Sequence, residues 1–278
     1  MSGPTAHELN TSFSWDDHRG PWRVVTAEQA RSYDECGFFV LEDALTPSEV
    51  AALTAAIDPF EERQADALRQ LEGGRFFIAR ADEITFTTHL VRESAVLRDF
   101  TTSALLAGVC ADLVGPDVRL YWDQAVYKKP GTASPFPWHQ DNGYAFVEPQ
   151  QYLTCWVALT DATEENGCPW VVPGLHRRGT LAHDYSDIGF VCLRDPADAV
   201  AVPARAGSIV VFSSLTPHST GPNRTDDVRK AYIVQYVPTG AEVVRPEPDG
   251  PVTRVPAADE SRQYEVVRRG ERVNRSEK

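Results

Sequence analysis

The sequence predicts a mainly β protein with flanking helices, its strands forming a closed barrel or a double sheet. Three observations carry that expectation. Beyond Gly115-Pro116 the chain becomes a series of short runs rich in β-branched and aromatic residues, separated by turn signals. Helical spacing is confined to the residues before that point. The length, 278 residues, suits one barrel or sandwich with embellishments.

Taken in order, residues 1–24 read as an irregular N-terminal arm, with a single domain over 25–240. Within it, 25–115 is the helical part and 116–240 the β core. Thr26-Ala-Glu-Gln has the form of a helix N-cap, and the helix is expected to run to about Cys36. Gly37 to Leu41 then reads as a buried strand. Thr46-Pro-Ser-Glu starts a second helix through Leu53 and Ile57, with a restart toward Leu71. Leu97, Phe100, Leu105, Leu106, Val109 and Leu113 give helical spacing over 92–115. Strands are expected over Val118–Tyr127, Tyr152–Leu159, Cys168–Val172, Ser208–Phe212 and Lys230–Val237. Asn166-Gly167, Pro173-Gly174 and Gly221-Pro222-Asn223 mark turns between them. No internal repeat is visible. Residues 241–278 are charged and Pro-rich, so that tail either wraps the domain or is partly disordered.

Composition narrows the function. The formal net charge of −13 argues against a nucleic-acid partner, because phosphate binding needs a basic face. No stretch approaches the ~20 apolar residues that span a bilayer. Met1 to Trp15 is polar and lacks the apolar segment of a signal peptide. The five cysteines are odd in number and form no CxxC pair, which fits a reducing, cytoplasmic setting. A small-molecule partner is therefore expected, with oligomeric state open.

The most informative stretch is Pro135-Phe-Pro-Trp-His139-Gln-Asp141-Asn-Gly-Tyr. On an extended strand, residues two apart face the same side, so His139 and Asp141 can share one ion. His218 is the best candidate for a third ligand, since it follows the apolar strand Ile209-Val-Val-Phe212 and precedes a turn. Two His and one carboxylate leave three metal positions open, as in non-haem Fe(II) oxygenases. An isolated HxD also occurs by chance, and spacing alone does not separate iron from zinc. Of the other histidines, His7 and His18 are expected to be solvated, His176 to sit in a turn, and His183 to be a surface or pocket residue.

Several motifs in one order resemble the phytanoyl-CoA dioxygenase family. They are Trp138-His-Gln-Asp141, the segment from Cys155 to His176, Gly179-Thr-Leu-Ala-His-Asp-Tyr185, Pro217-His-Ser-Thr-Gly-Pro-Asn223, and Arg229-Lys-Ala-Tyr-Ile-Val-Gln-Tyr. The similarity covers residues 27–240 and is strongest from 118 to 238. It implies a double-stranded β-helix (jelly roll, cupin-like) core with Fe(II) held by His139, Asp141 and His218. The implied cosubstrates are 2-oxoglutarate and O₂, and the implied reaction is hydroxylation with release of succinate and CO₂. The family places an arginine eleven residues after the distal histidine, which is Arg229 here; a planar, permanently charged fork suits the far carboxylate of 2-oxoglutarate. Thr220 matches a hydroxyl that bonds the same carboxylate. Gln124, Trp156 and Gln140 match further positions at the cosubstrate, although Trp156 could equally be core packing.

Related halogenases carry Gly or Ala where Asp141 stands, so hydroxylation is the expected outcome. Substrate contacts are expected from Asn142, Tyr144 and Lys129, with turn or surface roles as the competing readings. Residues 61–92 and 178–206 are the candidate lid segments. The substrate class stays open among acyl-CoA, amino-acid-like molecules and natural-product intermediates. Two other functions compete: a non-catalytic metal-binding jelly roll, and a cupin-like metalloenzyme that does not use 2-oxoglutarate.

Overall fold

The structure is a computed structural model that describes residues 3–247 and 250–274. Thr26 opens α1 (Ala27–Cys36) with a capping box: its hydroxyl accepts from the Gln29 N–H, and the Gln29 side-chain oxygen accepts from the Thr26 N–H. The helix ends at Gly37, whose φ is +87° and where a Cβ would stand 2.5 Å from Thr216 Oγ1. Only glycine permits this turn into β1 (Phe38–Leu41). α2 (Pro47–Arg69) begins on a second capping box at Thr46. It runs without the expected interruption through Pro59, because Leu53, Ile57, Ala65 and Leu68 bury one continuous face across the missing N–H.

A small hairpin, β2 (Arg75–Phe76) and β3 (Ala79–Arg80), leads into β4 (Ile84–Thr88). The single helical stretch expected over 92–115 divides into α3 (Ala95–Thr101) and α4 (Ala104–Leu113), since Ser94 and Ser103 each cap a new start. The β core follows: β5 (Val118–Lys128), β6 (Phe136–His139), β7 (Val147–Glu148), β8 (Leu153–Ala158), β9 (Pro169–Val171), β10 (Asp184–Ser186) and β11 (Gly189–Val191). It continues through β12 (Val200–Ala201), β13 (Ile209–Ser213), β14 (His218–Thr220) and β15 (Arg229–Pro238).

These strands form a jelly roll. The large sheet runs β1-β13-β8-β15-β5-β4-β3-β2, and the small sheet runs β12-β9-β14-β6. Side-chain alternation sorts the large sheet into two faces. Ala125, Tyr127, Cys155, Val157, Val211 and Val234 face the helices, where Leu53, Ile57, Leu97 and Leu106 complete the main core. Val126, Trp156, Val210, Phe212 and Ile233 face inward in a second core against Val171 of the small sheet. A register shift in the β5–β15 pairing passes over Tyr121. It resets the parity of β5, so that Leu120 packs in the main core while Trp122 and Gln124 line the interior.

The tail adds β16 (Glu242–Glu247), β17 (Gly250–Pro256), β18 (Glu265–Arg268) and β19 (Glu271–Arg272). β18 pairs with β5, and Tyr264 and Val266 are buried in the main core. The chain after 240 is therefore part of the β layer and not separate from it; residues 275–278, where the expected disorder also fell, lie outside the described residues. The arm is anchored as well. Trp15 packs edge-on against His176, and His18 Nδ1 lies 2.6 Å from Asp34 Oδ1. His18 is thus held by the Asp34 carboxylate instead of being solvated as expected, while His176 occupies the expected turn, buried under the arm with its ring bonded to the Asp34 carbonyl. Among the described residues, no helix is long and apolar enough to cross a membrane.

Candidate metal centre and active site

The small sheet brings two histidines face to face. His218 on β14 stands opposite His139 on β6, with ring centroids 4.1 Å apart. Asp141 follows β6 directly, and its Oδ1 lies 3.7 Å from His218 Nε2 and 4.0 Å from His139 Nε2. One donor atom from each of the three lies within 4.8 Å of the others. The chain itself sets the orientation. His139 Nδ1 is 2.8 Å from the Pro137 carbonyl and His218 Nδ1 is 3.0 Å from the Thr216 carbonyl, so each donates there and leaves Nε2 free as a lone-pair donor. Thr154 Oγ1 donates to Asp141 Oδ2 at 2.5 Å, which leaves Oδ1 turned to the histidines. Burial, and secondarily the neighbouring His218, holds His139 well below the ordinary imidazole range, so it is neutral as a ligand must be. Two imidazole nitrogens and one carboxylate oxygen on one side of a point fit a divalent iron with three open positions.

Beyond this trio lies a second polar group. Arg229 begins β15 and is fully buried, with its guanidinium over the Trp156 ring at 5.4 Å. Nη1 reaches the Val126 carbonyl at 3.4 Å, while Nε and Nη2 are buried with no partner. Lys128 pairs with Arg229 across the β5–β15 ladder. Its Nζ bonds Thr220 Oγ1 at 3.1 Å and the Gly221 carbonyl, and no carboxylate among the described residues pairs with it. Burial first, and the positive Arg229 second, lower the Lys128 ammonium to about 6.

In front of the trio opens a cavity of about 520 Å³. Its walls include Phe86, Trp122, Gln124 and Phe136 from the barrel, Phe77 and Tyr144 from loops, and Phe190 from β11. His139 and Asp141 form its floor.

The sequence-predicted residues divide accordingly. His139, Asp141 and His218 are brought together. Gln124 and Tyr144 line the cavity, and Arg229, Trp156 and Thr220 gather behind it with Lys128. Three expectations are corrected. Gln140 faces away from the cavity, because alternation sends it to the side opposite both ligands; its amide bonds the carbonyls of Gly179 and Leu215 and the N–H of Leu181. Asn142 is likewise consumed internally, by Thr180 Oγ1 and the Val147 N–H. Lys129 points outward to Glu61 at 2.6 Å, so the inward lysine of the pair is Lys128.

Sequence reasoning named Lys128 only as half of a Lys128-Lys129 pair that could meet an anionic substrate or be solvated, and it missed Thr154, although each shares a strand face with a residue it did single out: Gln124 for Lys128, Trp156 for Thr154. His183, which sequence alone does not assign to surface or pocket, lies beside the ligands. Its Nε2 accepts the Gln140 N–H at 2.9 Å, between His139 and Asp141, and its Nδ1 donates to the Leu181 carbonyl. Desolvation lowers it to about 4, which keeps Nε2 an acceptor at neutral pH. A Cβ at Gly143 would meet the His183 ring at 2.1 Å, so that turn also requires glycine.

A jelly roll with this triad at its open end and an inward arginine on the last core strand defines a non-haem, Fe(II)- and 2-oxoglutarate-dependent oxygenase. O₂ is the second cosubstrate of that class. The family model for phytanoyl-CoA dioxygenase (PhyH) matches residues 33–231, and the chain belongs to that family. It is 27% identical over 217 residues to a methylphosphonate hydroxylase of Gimesia maris, covering 77% of this chain and 81% of that protein. It is 27% identical over 227 residues to an ectoine dioxygenase of Bordetella parapertussis, covering 72% and 71%. Among solved structures, it is similar to EvdO2 of Micromonospora carbonacea var. aurantiaca complexed with 2-oxoglutarate (29% identity, TM-score 0.63, covering 82% of this chain and 96% of that one). It is also similar to the non-haem, α-ketoglutarate-dependent carbocyclase SnoK from nogalamycin biosynthesis (27% identity, TM-score 0.64, covering 81% and 89%).

Proposed function

We propose that the protein hydroxylates an unactivated C–H bond of a small molecule, with His139, Asp141 and His218 as the iron ligands and Arg229 as the partner of the distal carboxylate of 2-oxoglutarate. The observation that carries this reading is the orphaned fork of Arg229. A buried charge without a partner is costly, and a carboxylate supplies both hydrogen bonds and the opposite charge. Trp156 supports the guanidinium from below, and Thr220 adds a hydroxyl beside it. Bound at the triad, iron with 2-oxoglutarate and O₂ supplies the oxidising power for hydroxylation, and succinate and CO₂ leave as coproducts.

The chain contributes placement and dryness. Thr154 holds the Asp141 carboxylate in one orientation, and the two backbone carbonyls do the same for the imidazoles. Phe136 packs edge-on to His139, and Tyr144 covers the other side of the ring. These rings exclude bulk water from the reacting carbon, which suppresses side reactions of a strong oxidant. The β2–β3 and β10–β11 hairpins, inside the segments expected to form lids, close the mouth through Phe77, Tyr185 and Phe190. Five unpaired thiols support a cytoplasmic setting.

Anaerobic titration of the Fe(II)-loaded protein with 2-oxoglutarate tests this function. The weak visible charge-transfer band of the chelate is expected in the wild type and absent in His139→Ala. Arg229→Ala should weaken 2-oxoglutarate binding by about 3 kcal/mol, as expected when one side of a buried charge pair is removed, with iron binding intact. Unchanged cosubstrate affinity in that variant would reassign the carboxylate to another cation.

A further inference from the structure

We propose that the substrate is a neutral, flat and largely aromatic or conjugated molecule, oriented by the side-chain amide of Gln124. The inference rests on the oxygenase function above and names the substrate class of the same site.

The cavity has no cation. Among the described residues that line it there is no lysine or arginine, and its ionisable side chains other than tyrosines are the metal-ligating pair His139 and Asp141. Arg75 and Arg80, on the hairpin that carries Phe76 and Phe77, are engaged elsewhere: both reach the Asp187 carbonyl across the mouth, and Arg80 also pairs with Glu83. Arg262, behind the Trp122 ring at 5.9 Å, is already paired with Asp259, so a thioester of a nucleotide, a phosphonate or a free amino acid would bring an anion against aromatic walls with no cation in the lining to balance it. At about 520 Å³ the cavity has the size that encloses a drug-sized ligand.

The walls favour flat rings. Phe86, Trp122 and Phe136 come from strands of the barrel, whereas Phe77 and Tyr144 come from loops and Phe190 from the β10–β11 hairpin. The latter three rings brace one another edge-on, Phe190 lying 5.1 Å from Tyr144 and 6.3 Å from Phe77. Aromatic rings gathered around one cavity from strands, loops and a hairpin reward a planar π system beyond simple area burial. The lining continues to the rim. Phe77 stacks on Tyr185 at an interplanar angle of 13°, and Phe76 and Tyr185 are 68% and 60% exposed, an apolar landing that a soluble surface otherwise avoids.

Polar recognition is equally specific. The indole N–H of Trp122 can only donate, and it meets Gln124 Oε1 at 3.2 Å. That contact fixes which way the amide points and leaves its NH₂ free to donate to a carbonyl or hydroxyl oxygen. The Tyr144 ring also lines the cavity, with its hydroxyl buried. An uncharged amide on an aromatic lining suits a neutral oxygenated ring system.

A matched pair of probes tests the inference: 2-(hydroxymethyl)anthraquinone, which is neutral, and anthraquinone-2-sulfonate, the same rings with an anion. Binding is read by quenching of tryptophan fluorescence in the metal-free protein, with palmitoyl-CoA as a competitor. The neutral probe is expected to bind and the sulfonate to bind about tenfold or more weakly, because its charge is desolvated without a partner. Phe190→Ala and Gln124→Leu should each weaken the neutral probe by about fivefold to tenfold, through lost ring contact and a lost hydrogen bond respectively. Absence of binding by the neutral probe, equal affinity for the sulfonate, displacement by palmitoyl-CoA at lower concentration, or indifference to both substitutions would each overturn the inference. The assay needs neither iron nor turnover. A protein that binds the neutral probe but forms no 2-oxoglutarate band would lose the oxygenase function alone.

Discussion

Lys128 and Arg229 stand directly opposite each other on neighbouring antiparallel strands, both fully buried, and among the described residues neither has an ion-pair partner. Two like charges in one dry box are destabilising until an anion arrives. Lys128→Met should therefore raise the melting temperature of the cosubstrate-free protein and shrink the further rise produced by 2-oxoglutarate. The pH dependence has a defined sign. The folded ammonium is lowered to about 6 by burial and by Arg229, while Thr220 and Gly221, its other neighbours, are neutral. A bound carboxylate favours the protonated form, so 2-oxoglutarate affinity should fall as pH rises from 6 to 8.5 in the wild type. In Lys128→Met the profile should be flatter, and an identical slope in both proteins would remove Lys128 from the cosubstrate box.

Thr154 acts on iron through Asp141. Its hydroxyl occupies Asp141 Oδ2 and leaves Oδ1 to the metal. Thr154→Val keeps the buried shape and deletes the donor, so Fe(II) affinity should drop by about 10- to 100-fold, the usual cost of losing a group that orients a ligand. Thr154→Ser should restore most of it. Equal iron affinity in all three proteins, measured by competition with a chelator, would show that Asp141 needs no such support.

Gly143 sits in the turn between Asp141 and Tyr144, pressed against His183. Gly143→Ala should destabilise the protein by about 2 kcal/mol, the scale of forced overpacking, and displace the acceptor of the Gln140 N–H. Iron binding should weaken with it. Denaturant unfolding with and without Fe(II) checks both effects, and a variant as stable as the wild type would mean that the ring moves freely.

Asp123 governs a stability window in mild acid. It lies inside β5, where its Oδ2 accepts from the Val91 N–H and the Tyr232 hydroxyl and its Oδ1 has no partner. Burial raises its carboxyl from 3.8 to about 6. The folded state thus favours the protonated acid, and the penalty for ionising it is fully present above pH 6 and gone below 3.8. Asp123→Asn should stabilise the protein at pH 8 by up to about 3 kcal/mol, since each tenfold step in a proton equilibrium is worth roughly 1.4 kcal/mol. The gain should vanish toward pH 4, and urea unfolding at the two pH values measures it.

Much of this protein was written locally. Capping residues at Thr26 and Thr46, the two-residue step from His139 to Asp141, and the strand before His218 each act within a few neighbours, so sequence alone located the helix starts and the metal trio. Family resemblance added Arg229. What sequence left open depended on face and depth, which a strand's neighbours decide. The Tyr121 register shift chose Lys128 over Lys129 as the inward cation, alternation turned Gln140 into a structural brace, and packing against Asp34 drew His18 out of solvent. The neutrality of the substrate cavity is of the same kind. It arises from residues as distant in sequence as Phe77, Trp122 and Phe190, and only the closure of the two sheets and their hairpins makes them one wall.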